Sequence, residues 1–346
     1  MAVHLTHGIK KNVGDALIHS RARKLWHHVA PDLDLVSVPR WESHVAPEDS
    51  QLLVLCGGPG FTPRMIESVF PVAQEPLRQG TPVAGFALGW QGLPARKPEG
   101  FSMTARSVAA LRKITAHGTP LSVRDDVTAE IAGMFGIDAI RTGCSAWYSI
   151  PHLGAAADPG PEEPRSVVFT TPALAENAKE SIAVMRMLRA KYPRATLVAA
   201  FHRGILPDEH TSPEQSAPLV AQAEAARELG FDVRDVAYGL ELIDFYHAVD
   251  LHVGYRVHAH LDFVSRRRPS VLISEDGRGS GQTAALHGGR KILWAGHPIL
   301  VDKLDRRLSN EHEKQWPSLS RAVETIEASY PVMREMIQRQ ADLRLR

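Results

Sequence analysis

The feature that most restricts the fold is an alternation. Short apolar runs trade places with longer stretches of helical periodicity along most of the chain. Runs at 33–38, 51–55, 82–86 and 120–123 read as strands. Helices over 15–29, 104–116 and 126–135 lie between them. Strands joined by crossover helices pair in parallel, and a parallel sheet is covered on both faces. At 155–164 three prolines and a glycine fall within ten residues, which no helix or strand can continue. The pattern then restarts, with strands at 166–170, 196–201, 232–236, 251–253 and 270–274 and helices at 172–191 and 213–229. A last helix covers 318–344. The expected architecture is therefore α/β: two Rossmann-like, doubly wound parallel-sheet domains, 1–154 and 165–317, facing a central cleft. The linker is 155–164, and the C-terminal helix within 318–346 packs back across the domains. Ligands of such sheets bind beyond the carboxyl ends of the strands, so the cleft is the default site.

The 346 residues are enough for two full cores. Lys and Arg number 40 against 39 Asp and Glu, which argues against nucleic-acid binding by bulk charge and makes any anion site local. Seventeen histidines read either as compositional bias or as groups that titrate or bind anions. Cys56 and Cys144 give neither a disulfide framework nor a metal spacing. The first residues lack the apolar core of a signal peptide, and no run approaches a membrane span. The expectation is a cytoplasmic protein with no integral membrane segment.

Several strand ends carry chemistry. Asn12-Val13-Gly14-Asp15 suits a tight turn with a helix cap, and equally a set of amides for an anion or a sugar hydroxyl. Gly57 and Gly58 follow a strong strand and allow close backbone approach, without the pattern of a dinucleotide or Walker loop. Arg124 beside Asp125 reads as a salt bridge with a cap, or as a cleft-facing guanidinium. His202 and Arg203 end a later strand, and with Asp208 and His210 they match no strong metal signature. Glu241 reads as a cleft residue or a solvated helix start, and Arg278 lies in a loop over 274–279.

The densest segment is Gly254-Tyr255-Arg256-Val257-His258-Ala259-His260. A helix starting near Arg256 offers free N–H groups and a positive dipole end. An Arg and a His at that end form a pocket for a small polyanion bearing phosphate and carboxylate. Residues i and i+2 diverge on a helix, so Arg256 and His258 converge only if Arg256 lies in the turn. His252 and His260 read as core or hydrogen-bonded residues, with His260 as a helper of the site. Arg266, Arg267 and Arg268 read as a solvated helix end before Pro269.

In this order and spacing, Asn12–Asp15, Cys56–Gly60, Ser122–Asp125 and Gly254–Ala259, the last followed by Pro269 and a strand, give a chain that resembles the polysaccharide pyruvyl transferases. The resemblance implies a GT-B-like fold and transfer of pyruvate from phosphoenolpyruvate onto a sugar of a glycan or glycan precursor as a ketal. It implies that Arg256 and His258 hold phosphoenolpyruvate, with His258 as the acid or as the phosphate partner, helped by another cleft arginine: Arg124 first, with Arg203 and Arg278 behind it. Asp15 is the expected base near the acceptor, which is a nucleotide- or lipid-linked sugar. Asn12, Gly14, Gly57, Gly58, His202 and His260 complete the expected binding set. Protonation and positioning suffice for this chemistry, so no metal or redox cofactor is expected. The alternatives are a GT-B-type glycosyltransferase with a nucleotide-sugar donor, and a non-catalytic sugar- or anion-binding relative.

Overall fold

The structure is a computed structural model and describes residues 2–42, 50–92, 98–116, 118–289 and 292–345. The first half runs β1 (Ala2–His7), α1 (Val13–Val29), β2 (Asp34–Pro39), β3 (Ser50–Cys56), α2 (Gln74–Gln79), β4 (Val83–Phe86), α3 (Ala105–Thr115), β5 (Leu121–Val123), α4 (Asp126–Met134) and β6 (Ala139–Arg141). The second runs β7 (Ser166–Thr170), α5 (Ala178–Lys191), β8 (Thr196–Phe201), α6 (Pro213–Glu228), β9 (Asp232–Asp235), β10 (Leu251–Gly254), α7 (Val257–Ser265), β11 (Ser270–Ser274), α8 (Gly277–His287) and β12 (Leu293–Trp294). Helices α9 (Leu300–Glu313) and α10 (Pro317–Asp342) close the chain.

Among the described residues the strands β1 to β12 pair only in parallel. The first sheet orders β2-β1-β3-β4, and the β5-β6 pair continues it through a parallel bridge from Leu88 to Val123. The second orders β12-β11-β10-β7-β8-β9. Each sheet reverses direction once, between β1 and β3 and between β7 and β10. Crevices for ligands open at such switch points. Local chemistry sets where the helices start. Asn12 caps α1 by accepting from Gly14 N–H at 3.2 Å, and Asp125 caps α4 by accepting from Thr128 N–H at 2.8 Å. Ser212 and Gln215 form a capping box ahead of Pro213 on α6.

Three expectations change. Residues 274–279 are not a loop throughout: Asp276 accepts from the N–H groups of Arg278 and Gly279 and starts α8. Three glycines, Gly277, Gly279 and Gly281, had hidden that helix in the sequence. Arg266 and Arg267 are not solvated. Arg266 binds Asp262 at 2.8 Å, and the buried Arg267 binds Glu327 of α10. Arg268 pairs with Asp158 at 2.6 Å, and Arg267 also donates to Ala155 O at 3.1 Å, so this arginine run pins the 155–164 segment. The helix expected from 172 begins only after a 3-10 turn at Ala175–Asn177.

The halves are tied by buried contacts. Trp147 Nε1 donates to Gln282 at 2.5 Å, and Arg21 pairs with Asp262 at 2.9 Å. Gln340 of α10 reaches back to Gly85 O of β4 at 2.8 Å. Among the described residues no helix is long and apolar enough to cross a membrane.

Candidate active site

Both switch points open into one cavity of about 390 Å³. The first half contributes Gly8, Lys10, Lys11, Asn12, Asp15, Arg40, Trp41 and Pro59, and the second Ala173, Arg203, His210, Thr211, Arg256 and Arg278. Six cationic side chains thus face one carboxylate. In a chain with a net charge of +1 this cavity is locally cationic.

Arg256 ends the turn after β10. Gly254 makes that turn with a φ of 152°, where a Cβ would lie 2.4 Å from Thr170 O. The Arg256 N–H donates to Thr170 Oγ1 at 3.2 Å, and Nη2 donates to Pro172 O at 2.9 Å. Its Nε is buried without a partner. At 9 % exposure, burial lowers its pKa to about 10, against Glu275, which raises it. The group remains charged at neutral pH. The Pro172 region is held by Glu275, which accepts from Ala173 N–H at 2.8 Å, Leu174 N–H at 3.0 Å and Asn177 Nδ2 at 2.8 Å. Arg256 is also the N-cap of α7 and offers no side-chain cap, which leaves the first-turn amides uncapped.

His258 follows on that first turn. Gly14 packs against it so closely that a Cβ there would lie 2.4 Å from His258 Nδ1. The two key loops of the chain therefore meet. Burial, then the charges of Arg278, Arg124 and Arg256, push the His258 pKa down to about 3. It is a neutral imidazole at pH 7, has no protein hydrogen-bond partner among the described residues, and lies behind Gly14 rather than on the cavity lining itself. Asp15 accepts from Asn12 Nδ2 at 3.0 Å. Burial raises its pKa more than Arg40, the Asn12 hydrogen bond, Arg278 and Arg203 lower it. Arg278 donates through Nε to Asp276 at 2.7 Å, and Arg203 is exposed and makes no hydrogen bond among the described residues. Lys11 crosses the rim to Asp208 at 2.7 Å and Thr211 at 2.7 Å, so its charge is already used.

Some expected residues lie elsewhere. Arg124 is 2 % exposed, donates to Trp90 O at 2.5 Å and to Asp125 at 3.1 Å, and does not line the cavity. Its guanidinium is satisfied inside the first half, so the salt-bridge reading wins. His202 pairs with Tyr246 Oη at 2.7 Å beneath the cavity. Asp208 and His210 do not converge with His202. Among the described residues no group of three or more His, Cys, Asp or Glu is arranged to hold a metal. Gly57, with a φ of 56°, leaves room for Ile18 of α1, and Gly58 leaves room for Arg40. Glu241 is exposed. Arg40, Lys10 and Trp41 are cavity residues that the strand-end pattern did not flag.

His260 is also not a cavity residue. It belongs to a closed chain behind the sheet. Thr170 Oγ1 lies 2.9 Å from His252 Nε2, and Ser270 Oγ lies 2.7 Å from both His252 Nδ1 and His260 Nδ1. His260 Nε2 lies 3.3 Å from His287 Nε2, whose Nδ1 is 3.0 Å from Ser318 O. A carbonyl only accepts, so His287 Nδ1 donates and its Nε2 accepts. His260 then donates from Nε2 and accepts at Nδ1 from Ser270. Ser270 in turn accepts from His252 Nδ1, and His252 Nε2 accepts from Thr170, which accepts the Arg256 N–H. Each tautomer is fixed and every histidine is neutral. Burial enforces this, lowering His252 to about 3, His287 to about 4 and His260 well below its usual value.

The fold has known counterparts. The structure of UDP-bound MnaA from S. aureus superposes with a TM-score of 0.61 at 10 % identity, covering 100 % of this chain and 97 % of that one. A UDP-GlcNAc 2-epimerase from Neisseria meningitidis gives 0.60 at 11 % identity, over 98 % and 100 %. The wall teichoic acid polymerase TagF gives 0.50 at 11 % identity, over 99 % and 89 %. These likenesses show a GT-B fold and no more. No curated protein matches the sequence significantly. The family model for polysaccharide pyruvyl transferase matches residues 12–277, a span that begins at the cap of α1 and ends on the first residue of α8. It includes both loops that meet at Gly14 and His258, and the chain belongs to the polysaccharide pyruvyl transferase family, a family of transferases.

Proposed function

We propose that the donor is phosphoenolpyruvate and that the chain moves its pyruvyl group onto a sugar as a ketal, releasing phosphate. The observation that carries this reading is a cavity lined by Arg203, Arg256 and Arg278, with Arg256 Nε buried and unpartnered at a helix N-terminus. Guanidinium forks suit both anionic groups of the donor. His258, neutral and without a partner, is assigned to the phosphate as a hydrogen-bond donor. Its depressed pKa argues against an imidazolium acid in the free site.

Asp15 is assigned the proton work. Its raised pKa and its place on the cavity wall support a carboxyl that acts first as an acid and then as a base. As an acid it protonates the methylene C3, leaving an oxocarbenium-like C2. The carboxylate then takes the proton of the first acceptor hydroxyl as that oxygen bonds to C2. The second hydroxyl replaces phosphate at C2, and its proton leaves with the phosphate. One hydroxyl proton thus ends in the new methyl group and the other on phosphate, so the cycle balances without a redox step.

A nucleotide-sugar donor is less well supported. Of the two acidic candidates for reading a ribose, Glu241 is exposed and does not line the cavity, and Glu275 already holds two backbone amides and Asn177. The test is phosphate release from phosphoenolpyruvate. Arg256→Ala and His258→Ala should each abolish it with melting near wild type. Near-normal turnover in either variant would sink the assignment.

A further inference from the structure

Arg256 and Arg278 reach the cavity from the starts of α7 and α8, yet one dipeptide governs both. Glu275 and Asp276 follow β11, and neither lines the cavity. Glu275 commits its carboxylate to a single loop. Its Oε2 accepts from Ala173 N–H at 2.8 Å, and its Oε1 accepts from Leu174 N–H at 3.0 Å and Asn177 Nδ2 at 2.8 Å. That loop carries Pro172, whose carbonyl receives Arg256 Nη2 at 2.9 Å. Among the described residues this is the one hydrogen bond of the Arg256 guanidinium. Glu275 therefore aims the carbonyl that aims Arg256. Asp276 acts on Arg278 without an intermediary. Its Oδ2 accepts from Arg278 Nε at 2.7 Å and lies 2.5 Å from Nη2.

Holding the fold does not account for these two charges. Asp276 caps α8 through Oδ1, which accepts from Arg278 N–H at 2.9 Å and Gly279 N–H at 3.4 Å. Asn would cap as well, so the cap leaves the second, anionic oxygen unexplained, and Arg278 is what uses it. Glu275 forms no ion pair among the described residues, so its charge acts at longer range. After burial it is the foremost influence on Arg256, and it opposes the charges of Arg203 and Arg278. Those three arginines line one cavity, and their mutual repulsion favours splaying them apart. Two carboxylates off the cavity wall counter that. They also leave Arg256 Nε and Arg278 Nη1 without a partner among the described residues, as a ligand requires.

We propose that Glu275 and Asp276 are positioning residues for the donor anion: Glu275 sets Arg256 through Pro172 O, and Asp276 sets Arg278 directly. The proposal rests on the pyruvyl-transfer reading for the identity of that anion, so the test uses both phosphoenolpyruvate and inorganic phosphate. Glu275→Gln keeps the side-chain length but turns an amide N–H toward one of three donors. In phosphate-release kinetics it should raise KM for phosphoenolpyruvate about tenfold or more, the scale of a misplaced charge-assisted contact, with kcat within about threefold. Asp276→Asn keeps the cap and loses the charge pair, and should raise KM about fivefold with the same split.

A pH profile separates positioning from folding. Burial presses the Arg256 pKa down to about 10, while Glu275 and then Tyr246 hold it up against Arg203 and Arg278. Without Glu275 the guanidinium loses its proton at lower pH. The alkaline fall in kcat/KM should begin about one pH unit lower in Glu275→Gln and stay in place in Asp276→Asn. Calorimetry with inorganic phosphate should show affinity reduced about tenfold in Glu275→Gln. An unchanged KM with an unshifted alkaline limb in folded Glu275→Gln would overturn the proposal, as would a loss of kcat alone. Should Glu275→Gln not fold, an unchanged KM in Asp276→Asn would overturn it. Failure of wild type to bind phosphoenolpyruvate would strike the donor reading, and the phosphate titration would then decide the positioning claim: equal affinity in wild type and Glu275→Gln would sink it.

Discussion

The segment 251–260 has two sides that obey opposite rules. Behind the sheet, His252 and His260 join Ser270 and His287 in a chain in which each ring nitrogen is used once. In front, Arg256 keeps an unpartnered Nε and His258 has no partner. Both sides are polar, and Arg256, His252, His260 and His287 are all buried. A satisfied polar group holds the fold, whereas an unsatisfied one beside a cavity is kept for something the protein binds. The same contrast separates two arginines of the first half: Arg124 has its carbonyl and carboxylate, and Arg40 has neither among the described residues.

The contrast can be broken by substitution. On the front side, Arg256→Ala removes a charge the cavity needs and should cost at least about a thousandfold in kcat/KM, the scale of several charge-assisted contacts. Asp15→Asn keeps the shape of the first turn of α1 but cannot carry a proton. It should lower kcat about a hundredfold or more while phosphoenolpyruvate affinity changes little. Phosphate-release kinetics with calorimetry separate the two, and a large affinity loss in Asp15→Asn would move Asp15 out of the proton role. On the rear side, Ser270→Ala strands an N–H of His252 and a ring nitrogen of His260, and should cost about 3 kcal/mol of stability. Denaturant unfolding reads this, and an unchanged midpoint would mean that the chain is not closed as described.

A second test of the rear side uses pH. His252, His260 and His287 titrate lower in the folded chain than their usual 6.5, because burial disfavours the charged ring. Above that value they are neutral in both states and their contribution is complete. As pH falls below it, the unfolded chain binds protons that the folded chain refuses. Stability then drops by about 1.4 kcal/mol per histidine per pH unit. The loss continues toward the folded values, about 4 for His287 and about 3 for His252. Melting should therefore fall between pH 6.5 and 5 and stay level from 7 to 8. A flat profile across both ranges would contradict the neutral chain.

Much of this was legible in the sequence. Asn12, Asp15, Arg203 and Arg256 stand at strand ends or helix starts, where the doubly wound rule directs attention, and all four line the cavity. The rule found Arg124 as well, but could not see that Trp90 O lies 2.5 Å from its guanidinium, because that partner is 34 residues away. Arg40 escaped because it follows a half-exposed strand with no glycine or histidine beside it, and the glycines that make room for it, Gly8 and Gly58, lie just beyond β1 and β3. The run 266–268 looked solvated because Glu327, the partner of Arg267, is 60 residues further on. Strands β6 and β12 are too short, and β6 too exposed, to leave an alternating pattern.

The central claim is that this cavity joins the pyruvyl carbon of phosphoenolpyruvate to two hydroxyls of a sugar. Mass spectrometry of products from phosphoenolpyruvate and a panel of nucleotide- and lipid-linked sugars tests it most directly. The account predicts one acceptor heavier by pyruvate less water, with one phosphate released per product and neither in Arg256→Ala. A wild-type acceptor heavier by a sugar, with a nucleotide released instead, would contradict it.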